Sequence, residues 1–226
     1  MLTLPKNSMT SEQVTCKKCG NCCKKGGPAL HNQDLELVRS GKIPMRSLIT
    51  IRKGELVLNP VAGKIQPATV ELVKIIGTGR QWDCCYYDED LGCTVYDHRP
   101  YACRLLKCWD TGEILDLVEK DTLSRFDILD KENPLLSVIK EHERMCPCED
   151  LGGIQSNLAQ LSDQQKNELE KRVRNDLRFR ARVISDFQLK LSEELFYFGR
   201  PLFQLLHPLG VRISESASGI QLIWPK

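Results

Sequence analysis

The clearest periodicity lies in the last third of the chain. Leu169, Val173, Leu177, Ile184, Phe187, Leu191 and Leu195 recur at helical spacing and would line one face. Ser162 with Gln165 three residues on reads as a capping box. One long helix, or two nearly collinear ones, is therefore expected over about 163–197. Gly199-Arg200-Pro201 ends it, because proline removes a helical donor and clashes with the preceding turn. Residues 201–206 suit one further turn. The tail changes period: Val211 and Ile213, then Ile220, Leu222 and Trp224, flank the polar stretch 214–219, a β-hairpin pattern.

Upstream the pattern is short and broken. Residues 48–58 mix β-branched and polar positions and suggest a strand or hairpin, and 70–76 a second strand. Gly77-Thr78-Gly79 then turns the chain into a third over 81–87. Asn32 suits the cap of a short helix carrying Leu35, Leu37 and Val38 and stopped by Gly41. Residues 93–96 read as extended, 99–108 as a turn or helix, and 135–143 as a helix. The class is α+β: a cysteine-rich metal-binding domain with small β-elements, followed by a long helix and a C-terminal β-hairpin.

Composition sharpens this picture at one point. The chain has 226 residues, 41% hydrophobic and 27% charged, with a net charge of +2. That is ordinary for a globular chain and provides no global field for nucleic acid or a membrane surface. No run approaches the ~20 apolar residues of a membrane span, and residues 1–15 lack the apolar stretch of a signal peptide. A cytoplasmic location is expected. The 11 cysteines are then reduced thiols, which favours metal binding over disulfides. All of them precede residue 150. The expected organisation is an arm over 1–15, a cysteine-cluster domain over 16–150, and a helical region with a hairpin over 151–226.

Cys16, Cys19, Cys22 and Cys23 fall within eight residues. Thiolates two residues apart in a turn converge on one ion or cluster. The Cys16-x2-Cys19-x2-Cys22 spacing matches the first three ligands of a ferredoxin-type run, but the fourth cysteine is adjacent and no proline follows it. Cys19-Gly20 equally suits a zinc knuckle, where glycine lets the backbone turn beneath the metal. Spacing alone leaves iron–sulfur and zinc both open.

A second constellation, Cys85-x7-Cys93-x9-Cys103, ends in Tyr96-Asp97-His98-Arg99-Pro100-Tyr101-Ala102-Cys103-Arg104. With this element the chain resembles the cysteine-cluster family named for its CxxCxxCC motif, whose members are described as zinc- or iron-chelating. The matched positions are Cys16, Cys19, Cys22 and Cys23, then Cys85, Cys93 and Tyr96, then Arg99, Pro100, Cys103 and Arg104. The resemblance covers about 16–104 and leaves out the long helix and the hairpin. It implies a metal site shared by the N-terminal run and the middle cysteines, with Cys16, Cys19, Cys22, Cys23, Cys85, Cys93 and Cys103 as ligands. Seven thiols exceed one tetrahedral ion, so either two metals bind or some thiols support the others. An iron–sulfur cluster is the favoured cofactor and Zn2+ the alternative. A similar cysteine pattern occurs in flagellin lysine N-methylase, which makes methyl transfer conceivable, although no glycine-rich nucleotide loop is evident.

Cys84 duplicates Cys85, and in a strand only one of two neighbours would face the site. Cys146-x-Cys148 offers either extra ligands or small buried hydrophobes. Arg99 and Arg104 would offset thiolate charge, or else pair with Asp88, Glu89, Asp90 or Asp97. Tyr96 and Tyr101 read as packing residues, and His31, His98, His142 and His207 as structural. Residues 166–182 carry seven basic and three acidic side chains, which suit a solvated face better than a nucleic-acid surface. The apolar stripe of this helix would pack on the cysteine-rich domain, a protein partner or a second copy. Three functions follow: a metal-binding module, an iron–sulfur enzyme of redox or methyl-transferring type, and a zinc-dependent interaction protein.

Overall fold

The computed structural model describes residues 13–148, 151–216 and 219–225. Its strands pair in twos, each pair antiparallel. The central ribbon is β1 (Leu48–Ile51) against β4 (Leu72–Ile75); a hairpin of β2 (Leu56–Asn59) and β3 (Lys64–Pro67) lies between them in sequence. The segment 48–58 thus holds two strands that are not partners. Glu55 causes this: its buried carboxylate accepts the Arg52 N–H at 3.0 Å and turns the chain away from β1. The β2–β3 turn is closed by Asn59, whose Oδ1 accepts the N–H groups of Val61 and Ala62 at 2.9 and 3.0 Å.

Alternation gives the β1–β4 ribbon two faces. Leu48, Thr50, Val73 and Ile75 are fully buried against the core. Ile49, Ile51, Leu72 and Lys74 point the other way, with Ile49 opposite Lys74 and Ile51 opposite Leu72. The third predicted strand is split into short ribbons: β5 (Gly77–Thr78) with β6 (Asp83–Cys84), and β7 (Tyr87–Asp88) with β8 (Gly92–Cys93).

Short helices join these ribbons: α1 (Leu35–Arg39), α2 (Tyr101–Leu105), α3 (Gly112–Leu115) and α4 (Arg125–Ile128). They are followed by α5 (Leu135–Met145) and α6 (Leu151–Asn157). The long helix α7 (Asp163–Asp186) starts at the expected capping box, with Gln165 N–H donating to Ser162 Oγ and Ser162 N–H to Gln165 Oε1. It stops eleven residues short of the expected end. Gln188 takes a positive φ of 48°, and Phe187 and Leu191 stay 42% and 71% exposed rather than extending the apolar stripe. The turn swings α8 (Glu194–Phe198) onto β1, where Phe196, Tyr197 and Phe198 are buried and Thr50 Oγ1 donates to the Phe196 carbonyl. Burying three aromatic side chains outweighs continuing one helix. Gly199 then breaks the chain before α9 (Leu202–Leu206), and β9 (Arg212–Ser216) and β10 (Gly219–Ile223) form the predicted hairpin.

The larger core joins Leu30, Leu48, Val73, Ile75 and Ile139 to Phe179 and Val183 of α7 and the aromatics of α8. A second core gathers Cys146, Cys148, Leu169, Val173, Leu202 and Leu222. Between α5 and α7 lies a buried polar knot. Asp176 Oδ1 accepts from His142 Nε2 at 2.7 Å and Arg180 Nε at 2.8 Å, and its Oδ2 accepts the Leu202 N–H at 2.8 Å. Arg180 also donates to Glu194 and to the carbonyls of Phe198 and Gly199. The basic run is therefore not uniformly a solvated face, since Arg180 is core and Arg174 pairs with Glu170 at 2.8 Å. No helix among the described residues is long and apolar enough to cross a membrane.

Candidate metal centre

The run from Cys16 to Cys23 is a loop closed by one 3-10 turn, Cys23–Lys25. Lys24 N–H donates to Gly20 O at 3.0 Å and Gly26 N–H to Cys23 O at 3.1 Å. Gly20 has φ +73°, and a Cβ there would run into the ring of Tyr87. Glycine is required twice over at this position, by backbone and by space. This turn packs on β6, which ends in Cys84. Cys93 is presented by the β7–β8 hairpin, whose turn is held by Asp88 Oδ1 accepting from the Asp90 and Leu91 N–H groups, both at 2.9 Å. Cys103 sits on α2. Proline at 100 provides an extended approach, and buried Asp34 fixes the helix start by accepting the Tyr101 N–H at 2.7 Å and the His31 N–H at 3.0 Å.

These separate pieces bring five thiols into mutual electrostatic reach. Cys22 and Cys23 have their sulfurs 4.0 Å apart. Burial, with the neighbouring Cys22, Cys93 and Cys84, pushes the Cys23 thiol up to about 12. Burial also raises Cys103, which then feels Cys84, Cys22, Cys23 and Cys93. Cys93 is raised by burial and by Cys84, while Arg99 pulls it down. Crowded thiols that resist ionisation together are a soft donor set that a cation would relieve. All of them are free of disulfides. The chemistry of the donor set fits zinc or iron.

The expected ligands divide in their placement. Cys22, Cys23, Cys93 and Cys103 lie in electrostatic reach of one another, whereas no such reach is seen for Cys16 and Cys19, which lie exposed on the loop before them. Cys84 and Ser47 hold the Cys85 thiol below its ordinary value against its burial, and Cys85 is not among the groups acting on Cys23, Cys93 or Cys103. The expectation of opposite faces needed a strand through both residues, and β6 ends at Cys84. Arg99 stacks on Tyr96 with its guanidinium 3.7 Å from the ring centre, and Lys18 covers the same ring at 4.2 Å. Tyr96 is thus a packing residue that holds two cations, of which Arg99 lies in electrostatic reach of Cys93. Cys108 is exposed.

Outside this set, His142, Cys146 and Asp176 each place one donor atom within 4.8 Å of the others, all buried. Asp176 is already bonded to His142, Arg180 and Leu202, and burial pushes the Cys146 and Cys148 thiols up to about 12. They pack as small hydrophobes in the second core.

Thiolates collected from separate loops and left unlinked define a metal-binding protein. A family model matches residues 15–132, just over half of the chain, and the chain belongs to that family: CxxCxxCC, described as "Putative zinc- or iron-chelating domain". No curated protein and no solved structure matches it, so the likeness to flagellin lysine N-methylase finds no counterpart there. The matched segment contains every thiol of the motif and stops before α5.

Gly20→Ala tests the turn directly. A Cβ there must displace Tyr87 and strain a left-handed backbone, at a cost of about 1–3 kcal/mol. The variant is expected to melt lower than the wild type and to retain less metal after dialysis against a chelator. Wild-type retention would show that the turn does not position the ligands.

Proposed function

We propose that the protein is an iron–sulfur protein whose cluster is held by thiolates from Cys22, Cys23, Cys84, Cys93 and Cys103, with Cys16 and Cys19 supplied by the adjoining loop. The observation that carries this reading is the number and origin of the thiols. Five thiols on four separate elements lie in electrostatic reach of one another, more than a single tetrahedral zinc accepts. Clusters tolerate such uneven spacing because different irons take different cysteines. A bound cluster would supply one-electron chemistry; the chain's part is to fix the thiolates, offset their charge with Arg99, and limit water at the buried side. Zinc is the second reading, supported by the left-handed Gly20 directly after Cys19, the backbone of a zinc knuckle.

Purification without oxygen, followed by metal and sulfide analysis and a visible spectrum, separates them. Iron with acid-labile sulfide and a broad visible charge-transfer band is the expected result. Colourless protein with stoichiometric zinc overturns the iron–sulfur reading and leaves a redox-silent structural site.

A further inference from the structure

The face of the β1–β4 ribbon turned away from the core floors a cavity of about 870 Å³. Ile49, Ile51 and Leu72 make this floor aliphatic, and Leu106, Leu117 and Val118 face it from the α2–α3 side. Cys22, Cys23, Cys84 and Cys103 form part of the same wall. The floor contains one ammonium group, that of Lys74, half-buried on β4. No carboxylate lies within ion-pair distance of it among the described residues; Glu55, whose charge reaches it, is already bonded to Arg200 and the Arg52 N–H. The cavity's other cations are Lys25, at its rim, and Arg200, already neutralised by the buried Glu55. Its acid, Glu119, is engaged by the Thr69 N–H and hydroxyl at 3.2 and 2.7 Å. His31 also faces the cavity, with Nδ1 against the Lys120 carbonyl at 3.0 Å.

An aliphatic cavity whose floor holds a single cation without an ion-pair partner is complementary to a molecule that is apolar along its length and carries one negative charge. We propose that this cavity binds a small aliphatic carboxylate, its anionic head on Lys74 and its hydrocarbon along Ile49, Ile51 and Leu72. A single charge is favoured over a phosphate dianion because Arg200 already has its counter-ion, so a second negative charge would be buried without one. An arriving carboxylate would give the half-buried ammonium of Lys74 the direct ion pair that it lacks. Cys84 also lies in reach of Lys74, so the head group would sit beside the thiolate centre. This adjacency rests on the metal-centre reading, but the binding itself does not depend on which metal is held.

Calorimetric titration of the metal-loaded full chain with octanoate tests the proposal, with octanol, octylammonium and acetate as controls for body and charge. Octanoate is expected to bind at least about tenfold more tightly than any control, the scale of one charge-assisted hydrogen bond in a sheltered site. Lys74→Met should lose that tenfold preference over octanol while its metal content, measured on the same sample, stays at wild-type level. Leu72→Trp, which fills the floor without touching the charge, should weaken octanoate and octanol together. The proposal is overturned if octanoate gives no heat, if it binds no better than octanol, or if Lys74→Met keeps the preference. Loss of metal from wild-type protein with octanoate binding intact would sink the metal-centre reading and leave the cavity assignment standing.

Discussion

Replacing Asp176 by alanine is expected to lower the stability of the protein by about 3–5 kcal/mol, the scale of removing one partner from a buried ion pair. Asp176 is fully buried, and three donors from three elements converge on it: His142 of α5, Arg180 of its own helix, and the Leu202 N–H at the start of α9. Alanine would leave the Arg180 guanidinium, 3% exposed, with a single carboxylate partner, Glu194. Asp176→Asn keeps the shape and one acceptor and should cost about half as much. Urea unfolding of metal-free protein is the measurement, so that changes at the thiols do not enter. A cost under about 1 kcal/mol for alanine would show that the knot does not hold α5, α7 and α9 together.

The same carboxylate sets a pH dependence. Burial alone would raise its pKa, but the hydrogen bond from His142 and the charge of Arg180 win and hold it at about 2, below its ordinary 3.8. The folded state therefore favours the charged form. Its contribution, about 2 kcal/mol by linkage, is present above pH 4 and is lost as pH falls towards 2. His142 behaves oppositely in kind: burial holds it below its ordinary value, so it stays neutral and donates Nε2–H to Asp176.

Much of the fold was legible because local chemistry decided it. The Ser162–Gln165 capping box and the tail hairpin form where the sequence places them, and Gly199 stops a helix as expected, although it is the short α8 and not the long one. What sequence could not reveal were choices made by tertiary packing. Phe187 and Leu191 continue a helical period that the chain abandons, because the aromatics of α8 bury more surface against β1. Arg180 reads as one more surface cation in a basic run, yet the buried Asp176 one turn earlier holds it in the core. An acidic residue on the apolar side of an amphipathic stripe was the available signal. At the site, the motif spacing pointed to Cys22, Cys23, Cys93 and Cys103, which lie in electrostatic reach of one another, but not to Cys84, which lies among them. Neither the Tyr96 stack nor the isolated Lys74 leaves a mark in spacing, since both depend on which strand face meets which loop.

The largest effect at the metal centre is expected to separate two adjacent cysteines. Cys84→Ser should weaken metal retention by at least ~100-fold, whereas Cys85→Ser should weaken it by ~10-fold. Cys23, Cys93 and Cys103 each lie in reach of Cys84, and none of the three has Cys85 among its principal influences. Cys84 also lines the cavity wall together with Cys22, Cys23 and Cys103, and Cys85 does not. Cys85 would then act through its influence on the neighbouring Cys84, as a partner that orients a ligand rather than as a ligand. Ser47→Ala, one step further out, should follow Cys85→Ser in direction with a smaller loss. Competition of each purified variant against a graded series of chelators gives the three affinities on one scale. If Cys85→Ser proves the more damaging of the two, the thiols exchange roles, and the chain must rotate at the end of β6 when metal enters.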